Sequence, residues 1–453
     1  MKMKMKIAVI ILGAGRGSRL SSSVPKVLHK IAHRTLLEYA LILVGKLRKK
    51  LGNIYSVTVV TSADLELKPE FLDLQSRYKF DTARQERQWG TGEAVKTGLT
   101  KVKEETHVLV LYGDTPFITV DTVCSMVRQV SYQVVCAGFE CPGPDNRYAH
   151  YGRLTTLSDD QSKVLTVVEA KECQGELPNL CNTGILFAER DILSIFCDTQ
   201  KSFLQSAGKE FHLTEVVKFA NDLKKRCTYV DIEESEAFGV NDSRQKAIAE
   251  CMMQKVLRDG FLDRGVTLVA PDTVFFAADT TIGYDCVIHP YVSIGAGVIM
   301  NNSCEVHSFS HIAGAEIGNN VSIGPFARIR PQTWIGDNTN VGNFSELKNA
   351  RLSINVKCGH VSYIGDASIG SGTNIGAGTV FCNYDGQTKH RTKVGRNVFI
   401  GSNTSIVSPV NIGTDVFIAA GSTVVKSVEN EDLVIARAEQ VNIPKKGKRT
   451  LEE

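Results

Sequence analysis

Two unlike domains are predicted by the sequence: an α/β domain with a mostly parallel sheet over residues 1–243 and an all-β rod over residues 265–453, joined by a helix over residues 244–264. Three observations carry the prediction. Short β-branched runs alternate with amphipathic or charged stretches as far as residue 243, aliphatic residues recur six apart beyond Gly265, and the stretch between carries no strand signal. Alternating strands and helices imply a sheet covered by helices. A six-residue repeat cannot serve a helix, whose faces return every 3.6 residues.

In the first domain Ile7–Leu12, Val57–Thr61, Val108–Tyr112 and Val134–Ala137 read as buried strands. The first follows a basic Met-Lys alternation, but Gly13, Gly15, Arg16 and Arg19 interrupt the apolar run where the core of a leader peptide continues, so it is expected to be a strand. In the connecting helix Ile248, Met252 and Val256 recur every fourth residue, and Gly260 and Gly265 punctuate its end.

The rod's repeat runs through Ile282, Ile288, Ile294, Val306 and Ile312, then Ile317, Ile323, Ile329, Ile335 and Val341. It resumes at Ile364, Ile369 and Ile375 and closes with Val394, Ile400, Ile406, Ile412, Ile418 and Val424. Such a period suits triangular coils of three short strands, each pointing one aliphatic side chain inward. With about 18 residues per coil and strands about 4.8 Å apart, eight or nine coils should form a rod about 40 Å long. Glycine after the aliphatic residue is expected to supply corner backbone angles. The segment after Val424 is expected to cover the unpaired edge of the last coil.

Composition excludes more than it reveals. With 43% hydrophobic and 22% charged residues the chain reads as an ordinary globular one, and a net charge of +3 gives no footprint for nucleic acid or an anionic membrane. No apolar stretch reaches the roughly 18 residues of a membrane span, so a cytoplasmic protein without an integral membrane segment is expected. Twelve cysteines are scattered with no C-x-x-C pair and read as free thiols. The basic tail of Lys445, Lys446, Lys448 and Arg449 reads as a solvated terminus.

Candidate chemistry begins after the first strand. Leu12-Gly-Ala-Gly-Arg-Gly-Ser-Arg19 offers backbone N–H groups to a phosphate chain, and Arg19 adds charge. Its spacing matches neither the dinucleotide fingerprint nor the P-loop, and a plain turn explains a glycine cluster about as well. Lys26, in Pro25-Lys26, could stabilise charge developing on phosphorus. Gln85 and Gly90-Thr91-Gly92 form a second loop, and Tyr112-Gly-Asp114 places an acid just past a strand end, where open α/β sheets bind ligands. Asp114 is a plausible Mg²⁺ ligand, because hard oxygen donors hold that ion.

In combination these motifs resemble the sugar-1-phosphate nucleotidyltransferases: L-x-A-G-x-G-[ST]-R followed by Pro-Lys is present, with Gly13 where alanine is usual. Tyr151-Gly152-Arg153, Val168-Glu169, Asn182-Thr-Gly184 and Gly239-Val-Asn241 extend the resemblance over nearly the whole half. It implies a Rossmann-like fold. It also implies UTP binding by Leu12, Gly13, Ala14, Gly15, Lys26, Gln85, Gly90 and Thr91, and sugar-phosphate binding by Tyr112, Gly152, Glu169, Asn182 and Asn241. Asp114 and Asn241 would hold Mg²⁺, with Arg19 and Lys26 catalytic. Departures from the family pattern are Trp89 and Glu93 beside the second loop, Glu172-Cys173, and Phe211-His-Leu-Thr-Glu215.

The rod is interrupted by Asn343-Phe-Ser-Glu-Leu-Lys348 and Phe381-Cys-Asn-Tyr-Asp-Gly-Gln-Thr-Lys-His-Arg391, which packing does not explain. With Arg330, Cys358-Gly-His360 and Tyr363 they resemble the acetyltransferase half of the bifunctional N-acetylglucosamine-1-phosphate uridylyltransferases/glucosamine-1-phosphate acetyltransferases. The resemblance then covers almost the entire chain and implies a left-handed parallel β-helix. Acetyl transfer to an amine needs a base, and a histidine with an ordinary pKa of about 6.5 can serve at neutral pH. His360 matches that base. Arg330, Lys348 and Lys389 would neutralise the sugar phosphate, with Tyr363, Asn374 and Asn383 orienting the sugar. Ala377, Asn383, Tyr384, Ser402, Ala420 and Arg437 match the acetyl-CoA positions. The resemblance further implies a homotrimer, glucosamine 1-phosphate and N-acetylglucosamine 1-phosphate as substrates, and a product used for envelope polysaccharides.

Two rivals stand beside this reading: a nucleotidyltransferase whose rod serves regulation or assembly, and a catalytically silent assembly protein. Outside the resemblance, His289 and His307 lie one nominal coil apart and are expected to stack as exposed corner imidazoles, a metal pair being disfavoured because no third ligand is in view.

Overall fold

The computed structural model describes residues 5–15, 17–141, 151–157, 162–169, 178–207 and 210–444. Arg16, Glu172, Cys173 and the basic residues from Lys445 onward lie outside the described residues. The chain divides into two compact units, Met1–Cys251 and Met252–Glu453, with the division inside the helix Ser243–Leu262.

In the first unit nine strands form one sheet: β1 (Ile7–Leu12), β2 (Ile54–Thr61), β3 (Asp81–Arg84), β4 (His107–Tyr112), β5 (Val134–Glu140), β6 (Arg153–Thr156), β7 (Val164–Val168), β8 (Leu180–Glu189) and β9 (Cys227–Asp231). Along its spine the order is β9-β5-β8-β4-β1-β2-β3. The pairings β9/β5, β4/β1, β1/β2 and β2/β3 are parallel, whereas β8 runs antiparallel to both neighbours. The spine is thus mixed at one strand, and off the spine β6 pairs antiparallel with β8 and β7. β1 is buried throughout its first five residues, which is why it reads as a continuous apolar run. The expected strands are present, with β2 beginning three residues earlier and β5 ending three later than the apolar runs suggest.

The second unit is a left-handed parallel β-helix. Its three faces hold ten, nine and eight strands among the described residues, which gives eight complete coils. Every aliphatic residue of the six-residue repeat is buried, and Met300, Leu347, Leu352, Cys358 and Phe381 fill positions where the pattern was interrupted. Leu433–Val434 pairs with the last strand of the first face, so the segment after Val424 does cover an edge. At the other end Gln254 acts as a surrogate strand: its amide donates to Phe276 O at 2.7 Å and accepts from Phe276 N at 2.8 Å.

In the connecting helix Ile248 and Val256 are exposed, and the buried stripe is Ala249, Met253 and Phe261. The four-residue recurrence marks the helix, which is present, but does not say which of its faces is buried. One expectation needs correction: with the exception of Gly324 (φ 101°), the glycine after an inward aliphatic residue is not the one at positive φ. A Cβ on Gly336 would lie 2.8 Å from the backbone of Ser353 in the next coil, and one on Gly376 2.6 Å from Ser402 N. Close approach between coils demands those glycines. The left-handed corner comes two residues later, as at Asp285 (φ 56°), Asn338 (φ 56°) and Asn403 (φ 55°).

Candidate active sites

At the C-terminal ends of β1 and β4 lies a cavity of about 530 Å³. It gathers Leu12, Ala14 and Gly15 from the first loop, Lys26, Gln85, Gly90 and Thr91 from the next segments, and Tyr112 and Asp114 from the end of β4. Gly152, Glu169, Asn182 and Asn241 complete the wall. Two expected residues are absent from the lining. Gly13 is buried against β2, where its N–H donates to Val60 O at 2.9 Å and a Cβ would meet that oxygen at 3.0 Å. Arg19 stands exposed on the short turn Ser18–Leu20. Gly13 therefore permits close strand packing and does not face the cavity.

The ammonium of Lys26 forms an ion pair with Asp114 and donates to Asn241 Oδ1 at 2.7 Å. The backbone around all three residues is fixed by its neighbours. Gly17 (φ 60°) lets the chain pass Lys26, since a Cβ there would lie 2.8 Å from Lys26 Cβ. Asp114 O accepts from Val240 N at 3.0 Å, and Gln245 Oε1 accepts from Asn241 N at 2.7 Å. Two hard oxygen donors already gathered around a positive charge suit a divalent cation. Asn182 is buried, faces the cavity, and among the described residues its Oδ1 has no hydrogen-bond donor. Such an orphan calls for a ligand N–H or O–H. Burial, with Asp114 and Glu169 adding to it, pushes the Tyr112 phenol up, so it stays a neutral hydrogen-bonding group. Its hydroxyl fits because position 184 is glycine: a Cβ there would approach it to 2.8 Å.

Three contributors were not foreseen. Gln88 Nε2 donates to Ala14 O at 2.6 Å, Thr214 Oγ1 donates to Glu169 Oε1 at 2.7 Å, and Thr183 Oγ1 donates to Ala137 O at 2.9 Å. Of the departures, Phe211 is core: Gly92 N donates to its carbonyl at 2.8 Å, and its ring packs 5.3 Å from that of Phe196. Trp89 stacks under the Arg87 guanidinium at 4.8 Å.

On the rod His360 ends the strand Lys357–His360 of the first face and is exposed. Its Nδ1 lies 2.6 Å from Asn343 Oδ1, directly below it in register. Register carried along the first face stacks His360, Ala377, Ser402 and Ala420 on successive coils. Three coils separate the first from the last, about 14 Å. Arg437 closes the column, its Cδ 3.9 Å from where a Cβ of Gly421 would stand.

The cations occupy the next corner. Ile329 pairs with Leu347, so Arg330 and Lys348 stack. Lys389 arrives on the inserted loop, where Tyr384 and Lys389 form a bridge and His390 Nε2 contacts Asp385 Oδ2 at 2.6 Å. The neighbouring Lys389 ammonium, followed by desolvation, pulls the Lys348 pKa down. Arg330 is tethered to Glu346 at 2.8 Å. Asp366 accepts from Asn349 at 2.6 Å and from Asn383, so the amide nitrogen of the buried Asn383 is committed to the scaffold of the loop. Glycine at 365 leaves room for Tyr363, whose hydroxyl would be 2.6 Å from a Cβ there. Asn374 stands on the first face, so within one chain it is not brought to the cations of the second.

A family model described as MobA-like NTP transferase domain matches residues 9–166, and the bacterial transferase hexapeptide model matches residues 314–349 and 391–426. Over 453 residues the chain is 38% identical to the bifunctional protein GlmU of Ruegeria sp. (strain TM1040), covering 99% of this chain and 97% of that protein. It is 38% identical over 448 residues to that of Sphingopyxis alaskensis, covering 98% and 96%. The bifunctional protein GlmU of Wolbachia pipientis wMel is 38% identical over 437 residues, covering 95% and 97%. With both halves matched end to end, the chain belongs to the GlmU family of bifunctional enzymes, which join a nucleotidyltransferase to an acetyltransferase.

Proposed function

We propose that the two sites act in sequence: the rod acetylates glucosamine 1-phosphate with acetyl-CoA, and the sheet domain couples N-acetylglucosamine 1-phosphate to UTP. The observation that carries this reading is an exposed imidazole at the head of a column of small residues, on a chain whose other half holds the Lys26–Asp114–Asn241 centre. At the rod, Nε2 of His360 takes a proton from the sugar ammonium, the freed nitrogen attacks the thioester carbonyl, and the C–S bond breaks to release CoA. Arg330, Lys348 and Lys389 hold the phosphate, and the thioester arm follows the Ala377, Ser402 and Ala420 column.

In the sheet domain a phosphate oxygen of the sugar attacks the α-phosphorus of UTP in line, and pyrophosphate leaves. Leu12, Ala14, Gly15, Gln85, Gly90 and Thr91 seat the nucleotide, and Tyr112, Gly152, Glu169 and Asn182 seat the sugar. Lys26 meets charge developing on the phosphates. Mg²⁺ bound to Asp114 and Asn241 would neutralise the triphosphate. No role is given to Arg19.

A homotrimer completes the acetyl site in this reading. The corner that carries His360 also carries Tyr291, Phe309, Phe326 and Phe344, exposed and stacked at 4.9–5.1 Å between ring centroids. Such an apolar ladder suits a second copy, which would bring its own corner cations beside His360. A cytoplasmic location is supported by the eleven described cysteines, all free, and by the absence among the described residues of any helix long and apolar enough to cross a membrane.

Mass spectrometry of glucosamine 1-phosphate, acetyl-CoA, UTP and Mg²⁺ with the enzyme tests the sequence of steps. Omitting UTP should leave N-acetylglucosamine 1-phosphate, and omitting acetyl-CoA should leave no nucleotide sugar. A full mixture that releases neither CoA nor pyrophosphate would overturn the reading.

A further inference from the structure

Two residues before Tyr291 and Phe309 of the aromatic ladder, the same side of the rod carries a cluster unrelated to either reaction. His289 follows Ile288 and His307 follows Val306, and these strands pair in register, so the imidazoles stand one coil apart with ring centroids 5.0 Å apart and planes tilted by 32°. The third ligand that sequence spacing did not reveal is Glu305. Its Oε1 lies 2.8 Å from His289 Nε2 and 3.8 Å from His307 Nδ1. One donor atom from each of the three residues falls within 4.8 Å of the others. The side chains are 30%, 47% and 32% exposed for His289, Glu305 and His307, so the cluster is open to solvent on one side.

The far nitrogen of His307 decides what the near one can do. Ser322 Oγ lies 3.3 Å from His307 Nε2, and in the tautomer where that hydroxyl accepts, the proton stays on Nε2. In that tautomer the Nδ1 lone pair stands 3.8 Å from Glu305 Oε1, acceptor against acceptor, a geometry that a cation between them relieves. We propose that His289, Glu305 and His307 form a binding site for a late first-row divalent metal of the zinc class, distinct from the oxygen-donor centre at Asp114 and Asn241.

Two imidazole nitrogens and one carboxylate oxygen favour zinc over magnesium or calcium, and three protein ligands leave a fourth position to water. Bonds of about 2.0–2.2 Å in a tetrahedron put ligand atoms about 3.3 Å apart. The His289–Glu305 pair is already that close, and rotation of half-exposed side chains closes the rest. The backbone need not move: His289 N donates to Val306 O at 2.9 Å and His307 N to Ile323 O at 2.8 Å. A bound ion would link two adjacent coils.

The test uses the full chain, stripped with a chelator and kept in excess Mg²⁺ so that oxygen-donor sites are filled. Calorimetric titration with Zn²⁺ should show one ion per chain, Co²⁺ should give the intense visible absorption of a tetrahedral site, and Zn²⁺ should raise the unfolding temperature. In Glu305→Gln and in His307→Ala the affinity should fall at least about tenfold and the thermal shift should vanish, with CoA and pyrophosphate release unchanged. Absence of stoichiometric Zn²⁺ binding to the wild type overturns the proposal, as does wild-type affinity in either variant. The wild-type titration stands even if a variant fails to fold.

Discussion

His360 Nδ1 lies 2.6 Å from Asn343 Oδ1. An amide oxygen only accepts, so the pair fixes the imidazole proton on Nδ1 and turns the Nε2 lone pair outward, the tautomer a general base requires. The coil geometry makes this possible, because the two residues are register partners on adjacent coils.

His360→Ala should lower CoA release by about 10²- to 10⁴-fold, the range a positioned base contributes, and leave pyrophosphate release intact. Asn343→Leu should cost less and fall mainly on kcat. Asn343→Asp tests the orientation separately: a carboxylate favours the imidazolium, so the acidic limb of the rate profile should move to higher pH. An unmoved profile in Asn343→Asp would remove Asn343 from the mechanism.

The legible and the hidden parts of this chain follow physical lines. Ile282 to Val424 announced the rod because each inward position admits only an aliphatic side chain, and the Gly-rich loop and Asp114 announced a phosphate site because they sit at strand ends. Ile248 and Val256 marked the connecting helix but not its buried side, since periodicity does not say which face is wet. Asn343, Glu346 and Asp366 were hidden in another way. Their roles come from neighbours 16 or 17 residues away across one coil, a distance in sequence that no local pattern encodes. Glu305, the missing third ligand beside His289, was hidden for the same reason.

Asp114→Ala should abolish nucleotidyl transfer and spare the rod. The substitution strips Lys26 of its ion-pair partner and the proposed cation of its carboxylate. Pyrophosphate release should fall by about two orders of magnitude or more, near 3 kcal/mol in barrier height, with CoA release unchanged. Coupled assays on one preparation measure both.

Gln254→Ala should destabilise the rod unit. Its amide pairs both backbone groups of Phe276 while itself 2% exposed, so truncation leaves a buried N–H and a buried C=O without partners. Two such orphans cost about 2–4 kcal/mol together. Denaturant unfolding of the variant should show that loss as a lower midpoint.

Lys389→Ala should act on Lys348 as well as on the substrate. The two side chains adjoin, and the hydrogen-bonding contact with Lys389 is the largest cause of the lowered Lys348 pKa, ahead of desolvation and of repulsion between the two charges. The folded chain therefore binds fewer protons at Lys348 than the unfolded chain between the lowered value and the ordinary lysine range, so this site makes stability rise with pH through that window. Repulsion is fully present below the folded value and relieved above it. Lys389→Ala should move the Lys348 ammonium back up toward about 10.4, followed by NMR titration of its side chain. The same variant loses one charge-assisted contact to the phosphate, so the Kd for glucosamine 1-phosphate should rise about 10- to 100-fold. Glucosamine 1-phosphate binding to the wild type should in turn raise the Lys348 value, because the anion offsets the repulsion, and binding should take up protons in mildly alkaline buffer. Calorimetry in two buffers of different ionisation enthalpy measures that uptake. A Lys348 titration unchanged by phosphate would place the anion elsewhere on the rod.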